Sequence, residues 1–97
     1  MFDGRPTWTV HLRWTRQEYS EQRRGASAKK EAFDATVERL AEPYCAWCAT
    51  ERSDYLKGLP FFTSTGVSVY FYFPDLRQAA NFAGSHADRA KLVGRAQ

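Results

Sequence analysis

Val67, Val69, Phe71 and Phe73 alternate with Ser68, Tyr70 and Tyr72 between Gly66 and Pro74. A period of two sends successive side chains to opposite faces, so this run is a strand with one apolar and one wet face. The same period recurs from Thr7 to Thr15. There Trp8, Val10, Leu12 and Trp14 are apolar, and Thr7, Thr9, His11, Arg13 and Thr15 are polar. Two half-buried strands of this kind belong to a sheet covered on one side, and the cover must come from the rest of the chain.

Helical spacing supplies that cover. Phe33, Val37 and Leu40 fall four and three residues apart, which predicts a helix over Ala28 to Ala41 with Ser27 as its N-cap. Pro43 is expected to end it, because the residue before a proline avoids the helical region. Asp75, with Gln78 three residues on, opens a second helix whose inner stripe is Leu76, Ala79, Ala80 and Ala83, with Phe82 at its margin and Gly84 as its stop. Tyr44 to Thr50, short and aromatic, reads as a further strand, and Ala90 to Val93 as a short edge strand. Glu51 to Thr65 is a long connection with room for a short extra element. Its Phe61 and Phe62 are expected to tuck against the body of the protein. Arg16 to Ser27 is polar and reads as a solvated connection. Its alternative is a basic arm using Arg16, Arg23, Arg24, Lys29 and Lys30.

This order places the chain in the α+β class: a ferredoxin-like split βαβ sandwich, an antiparallel sheet with two helices on one face, as a single domain over residues 1–97. The likeness is to an architecture and not to a family, and it leaves function open. The expected core is Trp8, Val10, Leu12, Phe33, Val37, Leu40, Val69, Phe71 and Leu76. No internal repeat or linker interrupts the pattern.

Composition narrows the function classes. The 14 Lys and Arg against 11 Asp and Glu give a net charge of +3. That mild bias excludes an acidic nucleic-acid mimic without requiring a nucleic-acid partner. Met1 to Pro6 lacks the basic-then-apolar pattern of a signal peptide, and no apolar run approaches a membrane span. The expected location is therefore the cytoplasm, with no membrane partner. Two cysteines do not make a disulfide scaffold.

Cys45-Ala46-Trp47-Cys48 has the spacing of a thiol redox or zinc half-site. On a strand its two thiols point to opposite faces, and only His11 and His86 remain to complete a metal site. The pair is read as two small buried hydrophobes, with a thiol or zinc protein as the weaker alternative. Ser85, His86 and Asp88 follow one another too closely to form a hydrogen-bonded triad, and they read as turn and capping residues. No catalytic residues, metal or cofactor are assigned, and the expected class is non-enzymatic.

The wet sheet face remains. His11, Arg13, Tyr70 and Tyr72 are expected to point away from the helices and form one patch of aromatics with a guanidinium. Tyr and Arg are favoured interface anchors. The sequence therefore reads as an interaction module for a protein partner or for a second copy of itself: a regulator, adaptor or inhibitor such as a phage-encoded anti-CRISPR protein. The alternative is a nucleic-acid-binding domain, because bases stack on aromatics at such positions.

Overall fold

A computed structural model of the chain describes residues 7–23 and 33–96. The elements run β1 (Thr7–Thr15), α1 (Arg16–Gln22), α2 (Phe33–Thr50), β2 (Leu56–Lys57), β3 (Phe61–Thr63), β4 (Gly66–Phe73), α3 (Leu76–Ser85) and β5 (Ala90–Ala96). They form a small α+β domain with a five-stranded antiparallel sheet and three helices.

The two alternating runs pair with each other at the centre. Trp8 lies opposite Phe73, Val10 opposite Phe71 and Leu12 opposite Val69. Side chains directly opposite share a face, so both apolar sets face the helices. Val10, Leu12, Val67, Val69, Phe71 and Phe73 are fully buried there. β5 pairs with the other side of β1 and extends past Val93 to Ala96, with a register shift opposite Thr9 and Val10.

β2 and β3 lie along the same free side of β4, β2 against Tyr72 and Phe71 and β3 against Ser68, Val67 and Gly66. Together they are one interrupted edge strand. Gly58, in the interruption, donates its N–H to the Tyr70 carbonyl at 2.7 Å. A Cβ there would stand 3.1 Å from that oxygen and 3.2 Å from the Tyr72 ring, so the close approach favours glycine. Phe62 packs on Tyr19 and Phe33 with centroids at 5.3 and 4.4 Å, yet it remains 56% exposed, so the aromatic pair lies on the surface and does not tuck in as expected. Phe61 turns to the opposite face.

The helices differ from expectation in three ways. Arg16 to Gln22 is a helix and not a connection. Thr15 caps it: Glu18 N–H donates to the Thr15 hydroxyl at 3.1 Å, and Thr15 N–H donates to the Glu18 carboxylate at 2.8 Å. Arg24, Lys29 and Lys30 of the alternative basic arm lie outside the described residues, as do Ser27 and the expected start of the next helix.

Second, α2 does not end at Pro43. It runs 18 residues to Thr50, so Tyr44 to Thr50 is helical and not a strand. Val37, Ala41, Tyr44 and Cys48 continue one inward stripe at spacings of four, three and four, while Pro43 stays on the exposed side. A proline inside a helix costs about 3 kcal/mol by removing one backbone bond and crowding the preceding turn. Burial of Tyr44, Trp47 and Cys48 offsets it. Pro43→Ala is therefore expected to raise stability by about 1–3 kcal/mol in denaturant titrations. A loss instead would mean that α2 needs Pro43 to follow the sheet.

Third, α3 is rotated from its expected stripe. Ala79 and Phe82 are buried, Ala83 is half-buried, and Ala80 and Leu76 are exposed, Leu76 by 45%. The helix continues one residue past Gly84, and His86 is its C-cap. Trp8, Phe33 and Leu40 are half-buried against the core and not within it.

Candidate functional site

All three helices pack against the face carrying Val10, Phe71 and Phe73, as their ring contacts with Phe62, Trp14, Phe71 and Phe73 record. The opposite sheet face holds His11, Arg13, Tyr70 and Tyr72. His11 lies directly across from Tyr70, Thr9 from Tyr72, and Arg13 from Ser68. The His11 and Tyr70 rings approach to 4.9 Å, and Tyr70 stands 6.4 Å from Tyr72. His11 Nε2 shares a hydrogen bond of 2.8 Å with the buried Ser68 hydroxyl, which fixes the imidazole on the sheet. Burial, then the charges of Arg13 and Lys91, hold the His11 pKa below its ordinary value, which favours neutral imidazole.

Three further residues join this face. Leu56 pairs with Tyr72, Phe61 pairs with Ser68 and sets its ring 5.5 Å from Tyr70, and Lys91 pairs with His11. Leu56 and Phe61 are exposed. Their strands of two and three residues are too short for a period to register, and Ala90 to Val93 signalled an edge strand without marking Lys91 for this face. The result is a band of Leu56, Tyr72, Tyr70, Phe61 and His11 across the sheet, with Arg13 and Lys91 at one end.

Beside those cations is a cleft of about 400 Å³ lined by His11, Arg13, Ala87, Arg89, Ala90 and Lys91. Arg89 is committed to the fold. It binds the Glu18 carboxylate through Nη2 at 2.5 Å and Nη1 at 3.2 Å, the Tyr44 hydroxyl through Nε at 3.1 Å, and the Arg13 carbonyl at 2.8 Å. Its guanidinium also lies 5.3 Å from the Trp14 ring. One side chain thus ties the end of β1 to α1, α2 and the turn before β5.

The Arg89 hydrogen bond, followed by the Thr15 N–H, holds the Glu18 carboxyl down to about 2 from 4.5. A depressed carboxylate pKa contributes stability above the unfolded value, and that contribution disappears as pH falls through the folded value. Thermal stability is thus expected to fall between pH 4.5 and 2 more steeply in the native chain than in Glu18→Gln. Parallel melting curves for the two proteins over that window would refute the tie.

The thiols lie on α2, three residues apart, and not on a strand, so they do not point to opposite faces. Cys48 is fully buried, and burial pushes its thiol up to about 12, which keeps it protonated and poorly nucleophilic. Tyr55 covers this side of the core, stacked on Phe71 with centroids 5.6 Å apart. His86 packs its ring 4.8 Å from Phe82 and shares Nδ1 with the Phe82 carbonyl at 2.9 Å, a capping and packing role. Among the described residues, no three His, Cys, Asp or Glu side chains converge as a metal site would require. Nor is any described helix long and apolar enough to cross a membrane. No protein-family model, curated protein or solved structure matches this chain.

Proposed function

We propose that the chain is a ferredoxin-like split βαβ sandwich that works as a non-catalytic protein-binding module through its open sheet face. The architecture is supported by the strand order, with the interrupted β2–β3 edge followed by β4, β1 and β5, all antiparallel. α1 and α2 follow β1, and α3 joins β4 to β5.

The observation that carries the function is the aromatic band opposite the helices. Leu56, Tyr72, Tyr70, Phe61 and His11 form a continuous apolar surface with polar tips, and Arg13 stands exposed beside it. Tyr and Arg combine large contact area with directional polar groups, which suits them to protein interfaces.

The test begins with capture of a partner on the native chain, followed by affinity measurements on the purified pair. Tyr70→Ala with Arg13→Ala is expected to weaken binding by more than about 2 kcal/mol, roughly 30-fold. Unchanged affinity in a double variant with native melting behaviour overturns the assignment of the face. A nucleic-acid function would instead appear as oligonucleotide binding that weakens steeply with salt.

A further inference from the structure

Charge is distributed unevenly over the sheet. None of the five strands contains Asp or Glu, although the chain has 11 acids. Among the described residues the acids lie on helices and turns: Glu18, Glu21, Asp34, Glu38, Glu42, Glu51, Asp54, Asp75 and Asp88. Two of them are committed to cations, Glu18 to Arg89 and Glu38 to Lys57 at 2.5 Å. On the open face Arg13 and Lys91 are exposed, and no carboxylate among the described residues pairs with either. Both line the 400 Å³ cleft with His11. Asp88 occupies the turn that borders the cleft but does not line it.

We propose that this cleft receives the carboxylates of an acidic segment on a different protein, while the adjoining aromatic band takes that segment's apolar side chains. The inference rests on the reading of the face as a protein-binding surface and specifies the partner's chemistry. Like charges placed opposite one another across an interface disfavour association. A second copy, docked face to face, would present the same acid-free strands, so among the described residues it offers no carboxylate to Arg13 and Lys91. A nucleic-acid strand is the weaker fit. Its channels track several successive phosphates, whereas among the described residues this face offers two uncommitted cations, and Tyr70 is crowded by His11, Phe61 and Tyr72.

Poly-L-glutamate, polyglutamine and oligothymidylate serve as probes of the full chain, read by amide chemical shifts and by affinity. Saturable shifts with poly-L-glutamate, centred on His11, Arg13 and Lys91 and absent with polyglutamine, are expected. Arg13→Gln with Lys91→Gln is expected to weaken the interaction about tenfold and leave the melting temperature unchanged. Shifts spread equally over Arg52, Arg77 and Arg95 overturn the proposal, as does an unresponsive cleft. Tighter binding of oligothymidylate transfers the face to nucleic acid. Dimerisation that depends on Arg13 and Lys91 replaces the acidic partner with a second copy. A captured partner that needs Tyr70 but tolerates neutral Arg13 and Lys91 overturns the acidic chemistry alone. A partner indifferent to Tyr70 overturns the underlying use of the face.

Discussion

Phe82→Ala is expected to lower the unfolding free energy by about 3–5 kcal/mol, a large share of what a domain of this size possesses. Phe82 is fully buried where α2, α3 and the sheet meet. Its ring lies 5.2 Å from Phe71, 5.1 Å from Phe73, 5.7 Å from Trp47 and 6.3 Å from Tyr44. Truncation removes that contact area and leaves a void between elements that are themselves held by hydrogen-bonded ladders and helices, so collapse around it is limited. Denaturant unfolding measures the effect. A loss below about 1 kcal/mol would mean that α3 moves inward to fill the space. Phe82→Leu, which retains most of the volume, is expected to recover the larger part.

Gly66→Ala is expected to cost about 3–5 kcal/mol for a different reason. Gly66 begins β4 directly opposite Thr15, the residue that caps α1. A Cβ at Gly66 would fall on the Trp14 carbonyl oxygen and 3.0 Å from the Thr15 Cα. Both obstacles are backbone atoms fixed in the central ladder, so no rotamer change relieves the overlap. Its φ of 157° adds strain for any residue with a side chain. The variant should melt well below the parent and weaken the start of α1, which hydrogen exchange at the Glu18 amide would register. Parent-like melting would show that β1 and β4 can separate locally without loss.

The two predictions draw on different levels of information. Gly66 marks the start of a strand in the sequence alone, but its indispensability depends on how closely β1 approaches. Phe82 appears marginal on a helical wheel dominated by Leu76, Ala79, Ala80 and Ala83. In the fold the wheel is turned, because burying one large ring gains more than burying several alanine methyls. Leu76, in the first turn of α3, is left exposed as a consequence.

Alternation is a local property. It requires only that neighbouring side chains alternate sides, and that made β1 and β4 legible without any knowledge of their partners. It also placed His11, Arg13, Tyr70 and Tyr72 on one face before the pairing was known, because strand parity survives whichever strand lies alongside. The cap of α3 was legible for the same reason: Asp75 and Gln78 satisfy each other within one turn, with Gln78 N–H donating to Asp75 at 2.8 Å. The cap of α1 was equally local in Thr15 and Glu18, but the polar stretch behind it obscured the signal.

Tertiary structure decided the rest. Tyr44 to Thr50 is too short and too uniformly apolar for its period to distinguish strand from helix, and Pro43 weighed toward a break. The outcome turned on Tyr44 and Trp47 reaching Phe82 and His86, contacts with a helix some forty residues later in the chain. Leu56–Lys57 and Phe61–Thr63 are too short to declare themselves, and they are strands because β4 offers them a row of hydrogen-bonding groups along its free side. Short-range pattern thus determined which side chains of β1 and β4 share a face. Long-range packing determined which segments became edge strand or helix, because only there does burial outweigh the local cost of a proline or of ordering a two-residue strand.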